Sequence, residues 1–311
     1  MIAALELFKA LSDEIRLRII RALSIAELSV AELVSVLGLP QSTVSRHLKP
    51  LRDAELVETR RDGTSVYYRC GSAFHDSSLS ALLKDRLSEV SQSNEDQASV
   101  RRVMDQRRRR SREFFDRVAG TYGTLTEPGG GWQALAAALA TGFAGREVAD
   151  LGAGQGDLAL LLAGSATTVT AVDSSPRMVR ALEANAEQAG LSERIRAVEG
   201  EIEALPMDDE SVDNVFLSQA LHHAANPVQA IREAARVLRP GGSVIILDLV
   251  RHEQEWVRDQ WADQWLGFEP DELDRWIREA GLEPVEVNQL PGSMPELAVL
   301  LAVGKKASAI F

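Results

Sequence analysis

Val148 to Asp173 reads VADLGAGQGDLALLLAGSATTVTAVD, and this stretch decides the fold of the larger part of the chain. Val148 to Leu151 is a short apolar run that stops at Gly152-Ala153-Gly154-Gln155-Gly156. Asp157 to Ala163 then has the small and leucine-rich composition of a packed helix. A strand, a tight turn and a helix follow one another. Glycines let the backbone take positive φ and leave room for a ligand beside the chain, at the carboxyl end of a parallel strand where open α/β sheets bind nucleotides. A second strand, Thr168 to Val172, ends in Asp173. An acid there, about 20 residues beyond the glycine turn, is placed to accept hydrogen bonds from both hydroxyls of an adenosine ribose.

A pyrophosphate-binding turn reads G-x-G-x-x-G, whereas these glycines fall at positions 152, 154 and 156, with Asp150 just upstream. This pattern resembles motif I of the class I S-adenosylmethionine methyltransferases, whose turn cradles the methionine part and holds no phosphate. The resemblance covers roughly residues 112 to 306 and implies a Rossmann-like domain that binds S-adenosylmethionine or S-adenosylhomocysteine. Its implied contacts begin with Asp150, Gly152, Ala153, Gly154 and Gly156 in the turn, then Asp173, Ser174 and Met178 after the second strand. Glu199 to Pro206 and Ser211 to Ser218 are similar to the family's third and fourth strand ends, written G-D-A-E-x-L-P and F-D-x-V. On that comparison Glu201 stands where an Asp commonly faces the adenine amino group, Ile202 offers its backbone amide, and Ser218 completes the set. Arg112 to Tyr122 resembles the segment that folds over the cofactor, which makes Phe115 and Tyr122 lid candidates; helix packing is the alternative for the phenylalanine.

Methyl transfer is an in-line displacement at a sulfonium carbon, so positioning and water exclusion suffice, with a base only where the acceptor must lose a proton. Ser218 to Pro227 follows the fourth strand, where acceptors lie in this family. His222 and His223 are therefore candidates for a base or orienting group, with a structural role as the alternative. The same L-H-H also recurs there in members with unrelated substrates.

The full length of 311 residues allows two domains with real cores, and 45% apolar with 26% charged residues is ordinary for a soluble protein. There is no run of 18 apolar residues, the first twenty residues contain no cleavable apolar block, and a mature, cytoplasmic protein with no membrane span is expected. The one cysteine, Cys70, excludes an internal disulfide and a multi-thiolate metal site, and no metal is expected. The net charge of -12 is unevenly divided: Lys and Arg against Asp and Glu number 12 and 12 over residues 1 to 92, 8 and 5 over 93 to 120, and 14 and 29 over 121 to 311. The acidity belongs to the C-terminal domain, so it does not argue against nucleic-acid binding by the first part.

That first part has its own signature. Ala3 to Ala10 and Glu14 to Leu23 carry helical spacing, with Ser12 or Asp13 as a cap between them. Ser29 caps Val30 to Leu37, Gly38 stops that helix, and Pro40-Gln-Ser-Thr-Val-Ser-Arg-His-Leu-Lys begins another. This is a helix-turn-helix. Gln41, Ser42, Thr43, Ser45, Arg46 and His47 can reach base edges and phosphates, while Val44, Leu48 and Leu51 hold the helix to the core. Leu56 to Arg69 alternates and turns at Asp62-Gly63, a hairpin wing whose Arg60 and Arg61 would meet phosphates or the minor groove.

Residues 1 to 92 closely resemble the ArsR-type winged-helix repressors, which implies a homodimer on a palindromic double-stranded DNA operator. The helix from about Ser77 to Ser91, with Leu79, Leu82, Leu83, Leu87 and Val90, would pair with the opening helix at the dimer surface. Metal-sensing members carry C-V-C-D where this chain has Ser29-Val30-Ala31-Glu32, so soft-metal sensing there is not expected. Cys70 reads as a small buried hydrophobe.

Residues 93 to 120 form a polar helical linker and cofactor lid containing the run Arg107 to Arg110, either solvated or in contact with DNA backbone. Glu127 to Gly131 is a flexible stop before a helix from Trp132 to Thr141. Beyond the cofactor motifs, Val228 to Leu238, Ser243 to Leu249, Leu273 to Ala280, Pro284 to Gln289 and Pro295 to Gly304 continue the alternation of helices and strands. Trp261 and Trp265 lie in a charged, tryptophan-rich segment that suits either an acceptor pocket or a helical contact to the other subunit or the DNA-binding domain, the latter preferred. The expected whole is an N-terminal winged helix-turn-helix domain (1–92), a helical linker and lid (93–120) and a Rossmann-like class I methyltransferase domain with a mainly parallel sheet (121–311). Two functions fit: a regulator that senses the cofactor, which is favoured, and an active small-molecule methyltransferase with a DNA-binding domain attached.

Overall fold

A computed structural model of the chain describes residues 4–75, 87, 90, 92–118, 141–294 and 297–308. They fall into two compact units, Met1–Gln106 and Arg107–Phe311. Outside the described residues lie Tyr122, the Glu127 to Gly131 stop, the Trp132 helix up to residue 140, and the proposed dimer helix apart from Leu87 and Val90.

The first unit runs α1 (Ala4–Leu11), α2 (Glu14–Leu23), β1 (Leu28–Ser29), α3 (Val30–Leu37), α4 (Gln41–Asp53), β2 (Val57–Asp62), β3 (Ser65–Cys70) and α5 (Ser72–His75). Local chemistry sets each boundary. Asp13 caps α2 by accepting the Arg16 amide at 3.1 Å, and Ser29 and Glu32 form a reciprocal capping box on α3. Gly38 ends α3 at φ 66°, a left-handed conformation that a side chain would strain. Val44, Leu48 and Leu51 seat α4 on the core, being at most 3% exposed. The strands form an antiparallel sheet in the order β1-β3-β2. Asp62 pairs with Ser65, so the wing turns on Gly63-Thr64, one residue later than expected, and Asp62 is buried in the ladder.

Helix α6 (Ser93–Val118) is one 26-residue element. The expected linker is thus a single helix as far as Val118, and the boundary between the two units falls inside it. Its first turn is fastened within the first unit: Asp96, 2% exposed, receives Arg18 at 2.7 and 2.8 Å and Arg21 at 2.5 Å. Arg18 also donates to the Leu37 carbonyl, and Arg21 to those of Leu87 and Val90.

The second unit continues from α6 with β4 (Glu147–Leu151), α7 (Asp157–Ala163), β5 (Thr168–Asp173), α8 (Pro176–Gln188), β6 (Ile195–Glu199), β7 (Val212–Ser218), α9 (Pro227–Val237), β8 (Leu238–Leu249), α10 (Trp256–Gln260), α11 (Pro270–Glu279), β9 (Leu282–Met294) and β10 (Leu297–Lys306). The seven strands form one sheet in the order β6-β5-β4-β7-β8-β10-β9. All neighbours from β6 to β8 are parallel, and β10 alone runs against the rest. Near-continuous apolar runs explain the parallel core, because strands buried on both faces cannot alternate. Val148, Val169 and Ala171 pack with Ala159, Leu162 and Ala163 of α7 and Leu182 and Ala186 of α8. Among the described residues no helix is long and apolar enough to cross a membrane.

Candidate functional site

Strand order places the site. The chain leaves β4 for β5 on one side, and β7 later joins β4 on the other, so the crevice above their carboxyl ends is a topological switch point. A cavity of about 210 Å³ opens there. Its wall contains Asp150, Gly152, Ala153, Gly154, Asp173, Ser174, Met178, Glu201, Ile202 and Ser218, ten positions that the sequence resemblance brings to the cofactor. Gly156 is a correction: it is not on the wall but at the start of α7 at φ 94°, where an added Cβ would come within 2.8 Å of Leu182. Its role is close packing of helix on helix. At Gly154, by contrast, an added Cβ would meet nothing within 4 Å, leaving the backbone free to lie against a ligand.

Two buried carboxylates give the cavity its electrostatics. Asp173 accepts the amides of Gly154 and Ser175, both at 2.8 Å, and these bonds aim it across the turn. Burial pushes its carboxyl up to about 6 despite those two donors. Asp150 is 2% exposed, and its Oδ2 makes no hydrogen bond among the described residues. Burial, and then the nearby charge of Asp173, raise it to about 7. An acceptor oxygen left without a donor on a cavity wall suits a ligand that brings its own, such as the ammonium and ribose hydroxyls of S-adenosylmethionine.

The second half of α6 closes this cavity from within the same unit. Arg108, Ser111 and Phe115 line it, and Phe115 stacks edge-on against His223 with ring centres 4.7 Å apart. Arg112 pairs with Glu201, Ser175 Oγ donates to Asp116 at 2.5 Å, and Arg177 donates to the Asp116 carbonyl. Arg107 lies over the Trp265 ring and donates to the Ala225 carbonyl. The arginine run is therefore neither wholly solvated nor all facing outward: Arg109 and Arg110 are exposed, Arg107 and Arg108 are engaged. Sequence reasoning missed Arg108 and Ser111, whose only signal was their helical spacing to Phe115.

The two histidines part company. His223 lines the cavity; His222 does not. His222 Nδ1 lies 2.8 Å from Asp248 Oδ1, and its Nε2 is 3.9 Å from Asp263. Burial opposes its charge, but the carboxylates of Asp248 and Asp263 outweigh it and raise His222 to about 9. A buried imidazolium with no face on the cavity is not a base for an acceptor, which corrects that reading of His222. His223 is held well below the ordinary histidine range by burial and then by the charge on His222, so it is neutral at physiological pH. Asp248 and Asp263 were not anticipated, although the lone acid in Ser243-Val-Ile-Ile-Leu-Asp248-Leu was a visible signal. Trp265 is 2% exposed, and its indole donates to the Ala224 carbonyl at 2.7 Å. It belongs to the core of its own unit rather than to a subunit contact, while Trp261 is half-buried against Trp256.

In the first unit, α4 exposes Gln41, Ser42, Ser45 and Arg46, with Thr43 half-buried; Lys49 and Arg52 extend the same exposed set. His47 is turned inward, 9% exposed, with Nδ1 3.3 Å from Asp13. Its position one step round from Arg46 takes it onto the core side of the helix. Arg60 is also corrected as a wing contact: it is 4% exposed and pairs with Glu27 at 3.0 Å and Asp62 at 3.5 Å. Arg61 is exposed. Cys70 is buried beside the Ile20 carbonyl.

Known proteins match both units. The family described as bacterial regulatory protein, arsR family, matches residues 13–59, and the methyltransferase domain family matches residues 149–246. An uncharacterized methyltransferase of Mycobacterium tuberculosis is 43% identical over 117 residues, 37% of this chain and 45% of that protein. A ubiquinone biosynthesis O-methyltransferase of Cereibacter sphaeroides is 31% identical over 157 residues, covering 46% of this chain and 63% of the relative. The chain thus spans only about half to two thirds of these relatives. In fold, a chain from the complex of the Haloferax volcanii Trm112 methyltransferase activator aligns over 62% of this chain and 97% of its own, at 24% identity and a TM-score of 0.52. The protein accordingly joins an ArsR-family helix-turn-helix domain, of the kind that binds DNA, to a methyltransferase domain with the Rossmann-like class I fold.

Proposed function

We propose that the protein is a DNA-binding transcriptional regulator whose methyltransferase domain binds S-adenosylmethionine or S-adenosylhomocysteine as its effector. The observation that carries this reading is α6. Asp96 in its first turn is bolted to α2 of the DNA-binding unit, and Arg108, Ser111 and Phe115 further along it form part of the cofactor cavity wall. A ligand that favours one placement of the Phe115 segment acts on a helix that belongs to both units. Coupling requires only that the ligand bind DNA-competent and incompetent states unequally.

Within the cavity, Asp173 would accept the ribose hydroxyls, Glu201 and the Ile202 amide would face the adenine, and the Gly152-Ala153-Gly154 backbone would flank the methionine part. Asp150 Oδ2 would take a donor from the ammonium end. Gln41, Ser42, Thr43, Ser45 and Arg46 would read the operator, with Arg61 on a phosphate and a homodimer spanning a palindromic site.

A second reading has its own support. Beyond the cofactor positions the cavity wall also includes Gln219, Ala220, His223, Ala224 and Ala225, beside which an acceptor would sit. Bound S-adenosylmethionine would supply an electrophilic methyl group there, and neutral His223 would orient an acceptor hydroxyl or take its proton. The discriminating experiment is a titration of the protein onto its own upstream DNA at fixed salt, with no ligand, with S-adenosylmethionine and with S-adenosylhomocysteine. A several-fold change in Kd with either form supports the sensor. Equal affinities, with both ligands bound to the free protein, would favour the enzyme and direct a search for methyl acceptors.

A further inference from the structure

We infer that His222, His223 and Asp263 form a site for a divalent transition-metal ion of the zinc or ferrous-iron class at the wall of the cavity. One donor atom from each lies within 4.8 Å of the others. Asp263 Oδ1 is 3.9 Å from His222 Nε2 and 3.9 Å from His223 Nδ1, too far for a hydrogen bond to either. The Asp263 side chain is wholly buried, and neither of its oxygens makes a hydrogen bond among the described residues. A carboxylate removed from water and left without donors favours a closer positive partner than the His222 ring, which stands 3.9 Å away and gives it no hydrogen bond.

The surroundings are those of a metal ligand set. Asp248 Oδ1 holds His222 Nδ1 at 2.8 Å, and Asp248 is itself fixed by the amides of Leu221 at 2.9 Å and Leu249 at 2.7 Å. That bond orients the ring so that Nε2 faces Asp263, the carboxylate–histidine–metal relation in which an outer acid sets the ligand's tautomer. The Asp263 loop is tied to the same residue, because the Gln264 and Trp265 amides both donate to the His222 carbonyl. Ligands about 2.1 Å from an ion stand about 3.4 Å apart, so each donor needs to move inward by less than a bond length. Two imidazoles and one carboxylate suit zinc, ferrous iron or cobalt, whereas magnesium and calcium take oxygen ligands. Three protein ligands leave coordination positions open, and because His223 also lines the cavity, an oxygen or nitrogen donor of a second occupant can fill one. An imidazolium on His222 is the competing explanation, and it leaves Asp263 still beyond hydrogen-bond reach. The inference stands whether the cavity turns over methyl groups or only senses the cofactor. It also departs from the metal-free expectation, which rested on the absent thiolates.

Full-length protein, dialysed against a chelator, is titrated with Co2+ followed by Zn2+ in competition. Wild type is expected to bind one Co2+ per chain with the intense visible bands of a four- or five-coordinate ion, which Zn2+ abolishes. Asp263→Asn and His223→Gln should each weaken binding at least 100-fold, and Asp248→Asn by about 10- to 100-fold. Should a variant fail to fold, thermal unfolding of the wild type decides, since Zn2+ bound only to the native state must raise its Tm. Stoichiometric binding unchanged in both Asp263→Asn and His223→Gln overturns the site. So does a wild type with neither the cobalt bands nor a zinc-dependent rise in Tm.

Discussion

Two buried acids in this chain have opposite fates. Asp96, in the first unit, is met by Arg18 and Arg21 through three short bonds, and the same arginines also donate to the carbonyls of Leu37, Leu87 and Val90. Asp150, in the second unit, is equally buried, yet among the described residues one of its oxygens has no hydrogen bond, and the charges acting on it are those of the acids Asp173 and Asp157. A buried charge whose partners all come from the chain is a rivet. One whose lone pair faces a cavity is a socket, because something outside the chain must complete it.

Breaking the rivet should have the largest effect. Asp96→Ala removes the carboxylate that both buried guanidinium groups bond and is expected to cost about 3–5 kcal/mol of stability in denaturant unfolding. A loss below about 1 kcal/mol would mean the arginines find water or other acids, and the contrast with Asp150 would collapse. Asp173→Ala should do the reverse. Ligand affinity is expected to fall roughly 10- to 100-fold by calorimetry, as charged hydrogen bonds to the ribose are lost. The ligand-free protein should unfold no more easily than wild type, since a charge buried at some cost has been removed.

The pH response sharpens the same difference. Asp150 and Asp173 have folded-state values near 7 and 6, above the ordinary carboxylate value of 3.8. The folded protein therefore binds protons more tightly than the unfolded chain between about pH 4 and 7. Over that window these two acids make the ligand-free second unit less stable as pH rises. Ligand donors prefer the ionised carboxylates, so affinity for S-adenosylhomocysteine should rise by roughly tenfold from pH 5.5 to 7.5. A flat affinity profile would place the ligand's donors elsewhere.

The smallest effects separate reading from folding in the first unit. Arg46→Ala is expected to leave stability within about 0.5 kcal/mol while weakening DNA binding. If Arg46 contacts a phosphate, the salt dependence of log Kd should fall by about one unit. Arg60→Ala should chiefly lower stability, because it removes a buried guanidinium that pairs with both Glu27 and Asp62. Equal loss of DNA affinity with unchanged stability in both variants would return Arg60 to the DNA surface.

What was legible in the sequence was local. The Ser29 capping box, the Gly38 stop, the stripe of Val44, Leu48 and Leu51 and the Gly152 turn each depend on neighbours within a few residues. Side chains whose environment is set by distant strands were not. Arg60 is buried because β1 and its preceding residue Glu27 lie against the wing, and His47 turns inward to Asp13 in the cap of α2. His222 meets Asp248 only because β7 and β8 are adjacent in the sheet, and meets Asp263 only because its loop hangs from the His222 carbonyl. The same reasoning explains the arginine run. Its composition suggested solvent, but helical spacing turns Arg108 with Ser111 and Phe115 toward the cavity.

The most direct measurement is the DNA affinity of wild type and Asp173→Ala, each without ligand and with saturating S-adenosylmethionine or S-adenosylhomocysteine, at one salt concentration. Wild-type Kd is expected to change several-fold with at least one ligand, and Asp173→Ala to lose that response at the same ligand concentration. A wild-type affinity that stays the same while calorimetry shows the cavity filled would contradict the sensor, leaving a methyltransferase that happens to be carried to DNA.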